Sequence, residues 1–243
     1  MAPEQSTILP EHQQQSNDHI LNARVRLATE SDVPFINKPI HKMAEYYNLA
    51  HECQATETSL FAALFNNSKQ QPPLSNPFSS TVSVFLIEVS PTTLPIPPHQ
   101  NNCRAIDLAG HEFDPETIHK TIHVNHHIND PKESLFRTEK GTIIAGFVIF
   151  FPSYSTFLTK PGIHMEDLFV RKGYRGMGFG KLLMKAVANL TVRLGYARME
   201  WTDITWNVDS HRFYEKLGAH ILKDWRIFRL DDDSLLSYGQ LSD

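Results

Sequence analysis

The segment from Gly162 to Leu194 constrains the fold of this chain more than any other. It reads GIHMEDLFV, then RKGYRGMGFG, then KLLMKAVANLTVRL. An apolar run broken by the adjacent carboxylates Glu166 and Asp167 leads into a glycine-rich turn, and leucines and alanines follow at helical spacing. Strand, loop and helix in that order indicate an α/β architecture. Arg175, Gly176, Gly178 and Gly180 leave the backbone bare where the helix begins. Several amide N–H groups can therefore converge on one anion at the positive end of the helix dipole. The loop predicts a phosphate cradle, although a glycine-rich turn alone also fits an ordinary tight connection. The Walker spacing is not met, because Leu182 follows Gly180-Lys181 and Arg175 stands where the first glycine belongs. The dinucleotide spacing G-x-G-x-x-G is not met either, since Gly176, Gly178 and Gly180 form G-x-G-x-G.

The spacing that does fit is R-x-x-G-x-G, Arg175 to Gly180, and it resembles the acetyl-coenzyme A loop of the GCN5-related N-acetyltransferases (GNAT). The remaining elements are consistent with such a domain. ARVRLAT from Ala23 alternates as a first strand, and Ser31 with Pro34 starts a helix through about Leu49 whose stripe is Val33, Ile36, Ile40, Met43, Ala44 and Tyr47. A short helix over about Thr58 to Phe65 and a strand TVSVFLIEV from Thr81 follow. TIIAGFVIFFPSYS from Thr142 reads as a central strand ending near Pro152. After the glycine loop and its helix, ARMEWTDIT reads as a strand. NVDSHRFYEKLG reads as a short helix capped by Asp209 or Ser210 and stopped by Gly218, and AHILKDWRIFRL as two final strand segments. This order predicts an α/β fold with a mixed, mostly antiparallel sheet.

Two regions stand apart. Residues 1–22 are polar and glutamine-rich and read as a disordered tail, leaving 23–235 as the domain. Residues 91–141 hold prolines and histidines but few large apolar side chains, so they read as a hairpin insertion too poor in apolar surface for its own core. His99, His111, His119, His123, His126 and His127 lie there. On a helix His119 and His123 would share a face, but no third ligand has a recognisable spacing; a solvated loop and no metal is the expectation. Cys53 and Cys103 have no redox or metal spacing and read as reduced, unpaired thiols.

At 243 residues the chain suits one sizeable core with an insertion, and its formal net charge of −4 favours a small cationic ligand over nucleic acid. No apolar run spans a membrane and the first twenty residues lack a targeting pattern, so the expected setting is the cytoplasm, with the nucleus also open.

Acyl transfer from a thioester to an amine sets three demands. The amine, with a solution pKa near 10, must lose a proton, the oxyanion needs hydrogen-bond donors, and the leaving thiolate needs a proton. Glu166 is the candidate base, because a carboxylate inside an apolar strand has a partner or faces a wet cleft. Salt bridging of Glu166 and Asp167 at a strand end is the structural alternative. Strand alternation sends the two to opposite faces unless a bulge intervenes. Tyr214 is the candidate acid, since a phenol and an alkyl thiol have comparable pKa values. An ordinary core role for Phe213 and Tyr214 is the alternative. The backbone N–H of Val170 or a neighbour is the candidate oxyanion donor.

Further segments make the resemblance narrower. EDLFV, YRGMGFGKLL, EWTDITWNV, FYEKLGA and DWRIFRL, with RLATESDVPFI and MAEYYNLAHE near the start, resemble the spermidine/spermine acetyltransferases and, more closely, the plant ornithine and diamine N-acetyltransferases. The match covers most of residues 23–230 apart from the insertion. The resemblance implies a GNAT fold in which two central strands splay apart and helices flank the sheet, a homodimer, and acetyl-coenzyme A as co-substrate without a metal. It implies Glu166 as base through a water and Tyr214 as acid. Leu168, Phe169 and Val170 would meet the acetyl-pantetheine arm; Gly176, Met177, Gly178, Phe179, Gly180 and Lys181 would meet the pyrophosphate with Arg175 adding charge. Asn207, Val208, Asp209 and Ser210 would touch the cofactor from the other side. Tyr46, Tyr47, Asp167, Glu200, Trp201, Asp224 and Trp225 are the implied substrate positions, suited to a flexible diamine. Tyr47 stands where the animal enzymes carry an acid, which favours a shorter substrate or one with a carboxylate, such as ornithine. Acetylation of peptide lysines or N-termini, and cofactor binding without transfer, are the alternatives.

Overall fold

The computed structural model describes residues 19–65, 82–94, 105–106, 111–113, 118–124 and 127–239. Most of the expected tail, and His99, Cys103 and His126, lie outside the described residues. The chain divides into two units, one up to Thr202 and one from Asp203 onward.

In chain order the first unit holds β1 (His19–Leu27), α1 (Val33–Tyr46), α2 (Glu57–Phe65) and β2 (Ser83–Ser90). A two-residue ladder follows, β3 (Ala105–Ile106) with β4 (Glu112–Phe113). Then come β5 (Ile118–Val124), β6 (Ile143–Ser155), β7 (Lys160–Val170), α3 (Phe179–Arg193) and β8 (Met199–Trp201). Six strands form one sheet in the order β5-β1-β2-β6-β7-β8. Every neighbouring pair is antiparallel except β7 and β8, which run parallel. Among the described residues no helix is long and apolar enough to cross a membrane.

Each face of the sheet is covered by one side of an amphipathic helix. Ile36 of α1 packs with Val84, Leu86, Ile144, Phe147 and Ile149. On α3, Leu183, Val187 and Leu190 recur at helical spacing and are buried, and the helix lies against β1, β2, β6 and β7. The helix α1 is entered through a 3-10 turn, Glu30–Asp32, instead of starting at Ser31. There Thr29 donates its N–H and its hydroxyl to Asp32, at 2.7 Å each.

Three expectations are corrected. The strand β1 begins at His19, inside the segment read as tail, and the histidine-rich segment supplies its partner: β5 pairs with it from His19↔Val124 to Val25↔Ile118. This ladder joins residues about a hundred positions apart, so local composition carries no trace of it. The segment read as a hairpin insertion thus supplies an edge strand of the main sheet over 118–124, and its lysine and histidines suit an exposed edge. On a strand, His119 and His123 stand roughly 13 Å apart, too far for one ion. Among the described residues no group of three or more His, Cys, Asp or Glu could hold a metal.

The third correction concerns β6, which runs through Pro152 to Ser155. Its neighbour β2 stops pairing at Phe150, and Ile163, opposite Pro152, donates its N–H to Arg198 on the far side. The missing N–H of Pro152 thus points to an open edge, where it loses no ladder bond.

The contact between β6 and β7 has a tight point. Gly146 faces Val170, next to an irregularity where Ile87 pairs with Gly146 but Glu88 with Ile144. A Cβ on Gly146 would overlap the Phe169 carbonyl oxygen. Replacement of Gly146 by alanine is expected to destabilise the fold by about 2 kcal/mol through overpacking, read as a lower urea midpoint. An unchanged midpoint would show that the strands part there without strain.

Candidate active site

The site is built on the C-terminal end of β7. Parallel pairing with β8 covers only Ile163↔Met199, His164↔Glu200 and Met165↔Trp201. From Glu166 to Val170, no described strand pairs with that edge of β7. Arg171 donates its N–H to Ala145 of β6 at 2.9 Å, so alternation turns the N–H groups of Leu168 and Val170 the other way, to the open edge. The Val170 carbonyl on that edge accepts from Arg175 Nε at 2.9 Å. Splaying of β7 from β8 leaves a slot edged by free backbone donors, which is what an extended amide-bearing ligand can pair with.

The slot begins at a β-bulge. Ile149 faces Asp167 while Phe150 faces Met165, so Glu166 is the extra residue. The bulge interrupts the alternation that would send the two carboxylates to opposite faces, yet the two differ in exposure. Glu166 is exposed, with its carboxylate 3.7 Å from the His164 imidazole, and His164 stacks on Phe151 at 5.0 Å. Asp167 is half-buried, and burial, followed by the Glu166 charge, pushes its carboxyl up to about 6. His164 stands two residues before the base candidate on the same strand, and that spacing was the available sequence signal for it.

Beyond β7 the chain turns through Lys172–Tyr174 into the glycine loop. Gly176 and Gly178 sit at φ 80 and 82, the left-handed region that glycine occupies without penalty. Gly178 is the N-cap of α3 with no side-chain cap, and the first helical bond runs from Leu182 N–H to the Gly178 carbonyl. The amides of Phe179, Gly180 and Lys181 therefore have no acceptor within the helix. No atom lies within 4 Å of a Cβ built on Gly176. Bare backbone, unsatisfied donors and the helix dipole fit a phosphate group, and the open β7 edge fits a pantetheine arm. In coenzyme A these two parts are joined.

The implied substrate residues of the first unit fall in two places. Asp167, Glu200 and Trp201 lie on the splayed strands, and Glu200 is held 2.9 Å from Arg198. Tyr46 and Tyr47 sit at the C-terminal end of α1, their rings 5.4 Å apart and edge-on.

The second unit carries Asn207–Ser210, Tyr214, Asp224 and Trp225. Its helix α4 (Val208–Glu215) starts from Asn207, so neither Asp209 nor Ser210 is the cap, and it ends before Gly218 at φ 93. The reason is Asp203. Its carboxylate accepts from the Ile204 N–H at 2.8 Å, from Asn207 Nδ2 at 3.2 Å and from Ser210 Oγ. That network fixes the turn into α4, and no local pattern in the sequence marks Asp203 for it. Tyr214 is half-buried, with its ring 5.2 Å from Phe213. Residues 219–231 contain no strand, contrary to the two expected segments, and a helix α5 (Asp232–Gly239) follows. Asp224 and Trp225 lie exposed in that irregular stretch, as do Ile227 and Phe228. An alternating apolar sequence forms a strand only beside a ladder partner.

A fold of this order, a strand pair that splays at a bulge and an R-x-x-G-x-G loop opening α3 define a class of acyl-transferring enzyme, and comparison with known proteins identifies it. The acetyltransferase (GNAT) family profile matches residues 101–219. The chain is 42% identical over 243 residues to L-ornithine N5-acetyltransferase NATA1 of Arabidopsis thaliana, covering 99% of this chain and 97% of that one. It is 34% identical over 222 residues to tyramine N-feruloyltransferase 4/11 of Nicotiana tabacum, covering 89% and 90%. To thialysine N-epsilon-acetyltransferase of Mus musculus it is 24% identical over 217 residues, covering 88% and 95%. Among solved structures, an integron cassette protein from the mobile metagenome of V. cholerae shares the fold, with a TM-score of 0.50 at 16% identity over 90% of this chain and 98% of that one. The chain belongs to the GNAT family. It is an N-acetyltransferase, an enzyme of the acyltransferase class.

Proposed function

We propose that the enzyme transfers an acetyl group from acetyl-coenzyme A to a primary amine of an ornithine-like amino acid such as ornithine or thialysine, or of a small diamine such as putrescine or diaminopropane. The observation that carries this reading is the bulge at Glu166, which sets two carboxylates at the mouth of the β7–β8 slot, one exposed and one half-buried. A site with that charge attracts an ammonium ion. The relative named for L-ornithine, at 42% identity along the whole chain, supports the choice of amine.

In the proposed mechanism Glu166 takes the ammonium proton through a water, and Asp167 supplies the charge that draws the second cationic group. The amine nitrogen bonds to the thioester carbonyl carbon, and the open-edge N–H groups of Leu168 and Val170 are suited to the oxyanion. As the C–S bond breaks, Tyr214 gives the departing thiolate its proton and is restored by the extra proton that the attacking nitrogen sheds, a role that rests on the sequence resemblance. Tyr214→Phe is expected to lower kcat about a hundredfold with KM for the amine little changed. Unchanged kcat would remove Tyr214 from the chemistry. The homodimer and the cytoplasmic setting belong to the same proposal and are tested by sedimentation and by cell fractionation.

The relatives named for tyramine favour a second reading, in which a bulkier acyl group passes to an aromatic amine. Thiol release from acetyl- and feruloyl-coenzyme A across ornithine, putrescine, diaminopropane, thialysine, tyramine and a histone peptide separates these. Turnover of ornithine or the diamines with acetyl-coenzyme A is expected. Activity confined to tyramine, or to the peptide, would overturn the proposal.

A further inference from the structure

The resemblance that identifies the phosphate loop leaves the histidine-rich insertion without a role, and the structure brings that insertion to the loop at two places. Before α3, Arg171 pairs with Asp130 and lies over the Phe136 ring, 3.9 Å from its centroid. Gly173 is packed so closely on Asn129 that a Cβ there would sit 2.7 Å from the Asn129 carbonyl oxygen. The end of the insertion thus supports the first half of the loop. At the second place, Lys120 of β5 holds its ammonium 3.4 Å from where a Cβ on Gly178 would be. Gly178 is the N-cap of α3, the point on which the acceptorless amides of Phe179, Gly180 and Lys181 converge. Among the described residues no carboxylate pairs with Lys120.

We propose that Lys120, delivered by the inserted edge strand, is a phosphate ligand of the coenzyme A site and contacts the pyrophosphate at the N-terminus of α3. The argument is one of charge and placement. A glycine at the N-cap keeps the cradle open, and a side chain there would meet the ammonium. An exposed lysine has many rotamers, and here its strand fixes the starting point. The pairing of Arg24 with His119 and of Ala23 with Lys120 sets the register. Between them, β1 and β5 hold the lysine stem at the loop. A cation next to backbone donors completes a doubly anionic site in the way that neutral amides alone do not. Arg175 spends its Nε on the Val170 carbonyl, so Lys120 adds a charge the R-x-x-G-x-G motif does not encode.

The inference rests on coenzyme A being the acyl carrier, and equilibrium binding tests the two separately. Calorimetric titration of the full chain with coenzyme A and with 3′-dephospho-coenzyme A is compared for the wild type, Lys120→Met, Lys120→Arg and Lys120→Glu. The wild type is expected to bind both ligands; failure to bind either would refute the carrier and this inference with it. Lys120→Met keeps the stem on an exposed edge and is expected to melt as the wild type does without ligand, while its Kd rises about tenfold for both ligands. Lys120→Glu is expected to lose more, and Lys120→Arg to stay within about twofold of the wild type. Wild-type affinity in Lys120→Met would refute the inference while leaving the carrier intact. Equal loss in Lys120→Arg and Lys120→Met would also refute it, by showing that packing and not charge matters. A loss seen with coenzyme A but not with the dephospho form would overturn the pyrophosphate assignment.

Discussion

Asp167→Asn is expected to melt at a higher temperature than the wild type at pH 8 and to lose about a hundredfold in kcat/KM for the amine. Asp167 is half-buried beside Glu166, and burial first, then that neighbour, raises its carboxyl to about 6 from the usual range near 4. A raised carboxyl means that the folded state holds the proton more tightly than the unfolded one. Its contribution to stability is full below the unfolded value and is lost as pH rises through about 6. Above that pH the ionised group opposes folding by about 2 kcal/mol, a figure already reduced for its partial exposure. The asparagine variant removes the charge, so it should gain stability at pH 8 and gain little at pH 4. Catalysis reads the same group in the opposite direction. The wild-type rate should fall as pH drops through about 6, because the protonated carboxyl no longer draws the ammonium, and this limb should be missing in Asp167→Asn. Glu166→Gln should lower kcat by about 10² to 10³ across the range, as loss of a general base does. Equal melting temperatures at pH 8, together with a retained limb near 6 in Asp167→Asn, would refute the assignment of that titration to Asp167.

What the sequence revealed of this site follows from how far each feature reaches along the chain. The strand β7, the glycine loop and α3 are contiguous, and their signals are local: apolar runs, glycines at left-handed positions, leucines three and four apart. The carboxylate pair interrupts an apolar strand and is legible for that reason, yet the bulge at Glu166 has no residue type of its own. It arises from the register with β6, so the raised carboxyl of Asp167 could not be read from EDLFV. Pairings across long separations leave no local signal. His19–Asn22 form a strand because 121–124 pair with them, and Lys120 reaches Gly178 from that same ladder. The converse holds at 219–230, where alternation predicts strands and the described chain gives them no ladder. Asp203 escaped notice because its three acceptor contacts depend on a turn that only the fold defines.

Glu88→Ala is expected to destabilise the fold by about 3 to 5 kcal/mol, a large share of a typical domain's total. Glu88 is buried on β2 and accepts from Arg24 Nε at 2.7 Å, from Arg26 Nε at 3.0 Å and from Thr142 Oγ1 at 3.2 Å. Arg26 in turn forks onto Asp32 at 2.7 and 2.8 Å. Burial alone would raise the Asp32 carboxyl, but the Arg26 guanidinium outweighs it and holds that carboxyl below the usual range. The network therefore closes two cations on two anions at the junction of β1, β2 and the turn into α1. Removing Glu88 takes away an acceptor shared by Arg24, Arg26 and Thr142 in a buried place, which is why the loss exceeds that of an ordinary hydrogen bond. The double replacement Glu88→Met with Arg24→Met removes both charges of that ion pair together, so it should recover part of the loss while keeping apolar volume. Because the pair is buried, 1 M salt should change the difference between wild type and Glu88→Ala little, in contrast to the exposed pair of Arg137 with Glu133. Urea titrations of the three proteins at two salt concentrations measure this. A loss below 1 kcal/mol in Glu88→Ala, or a double variant weaker than the single one, would show that water enters the junction and that the network does not hold the sheet to the turn before α1.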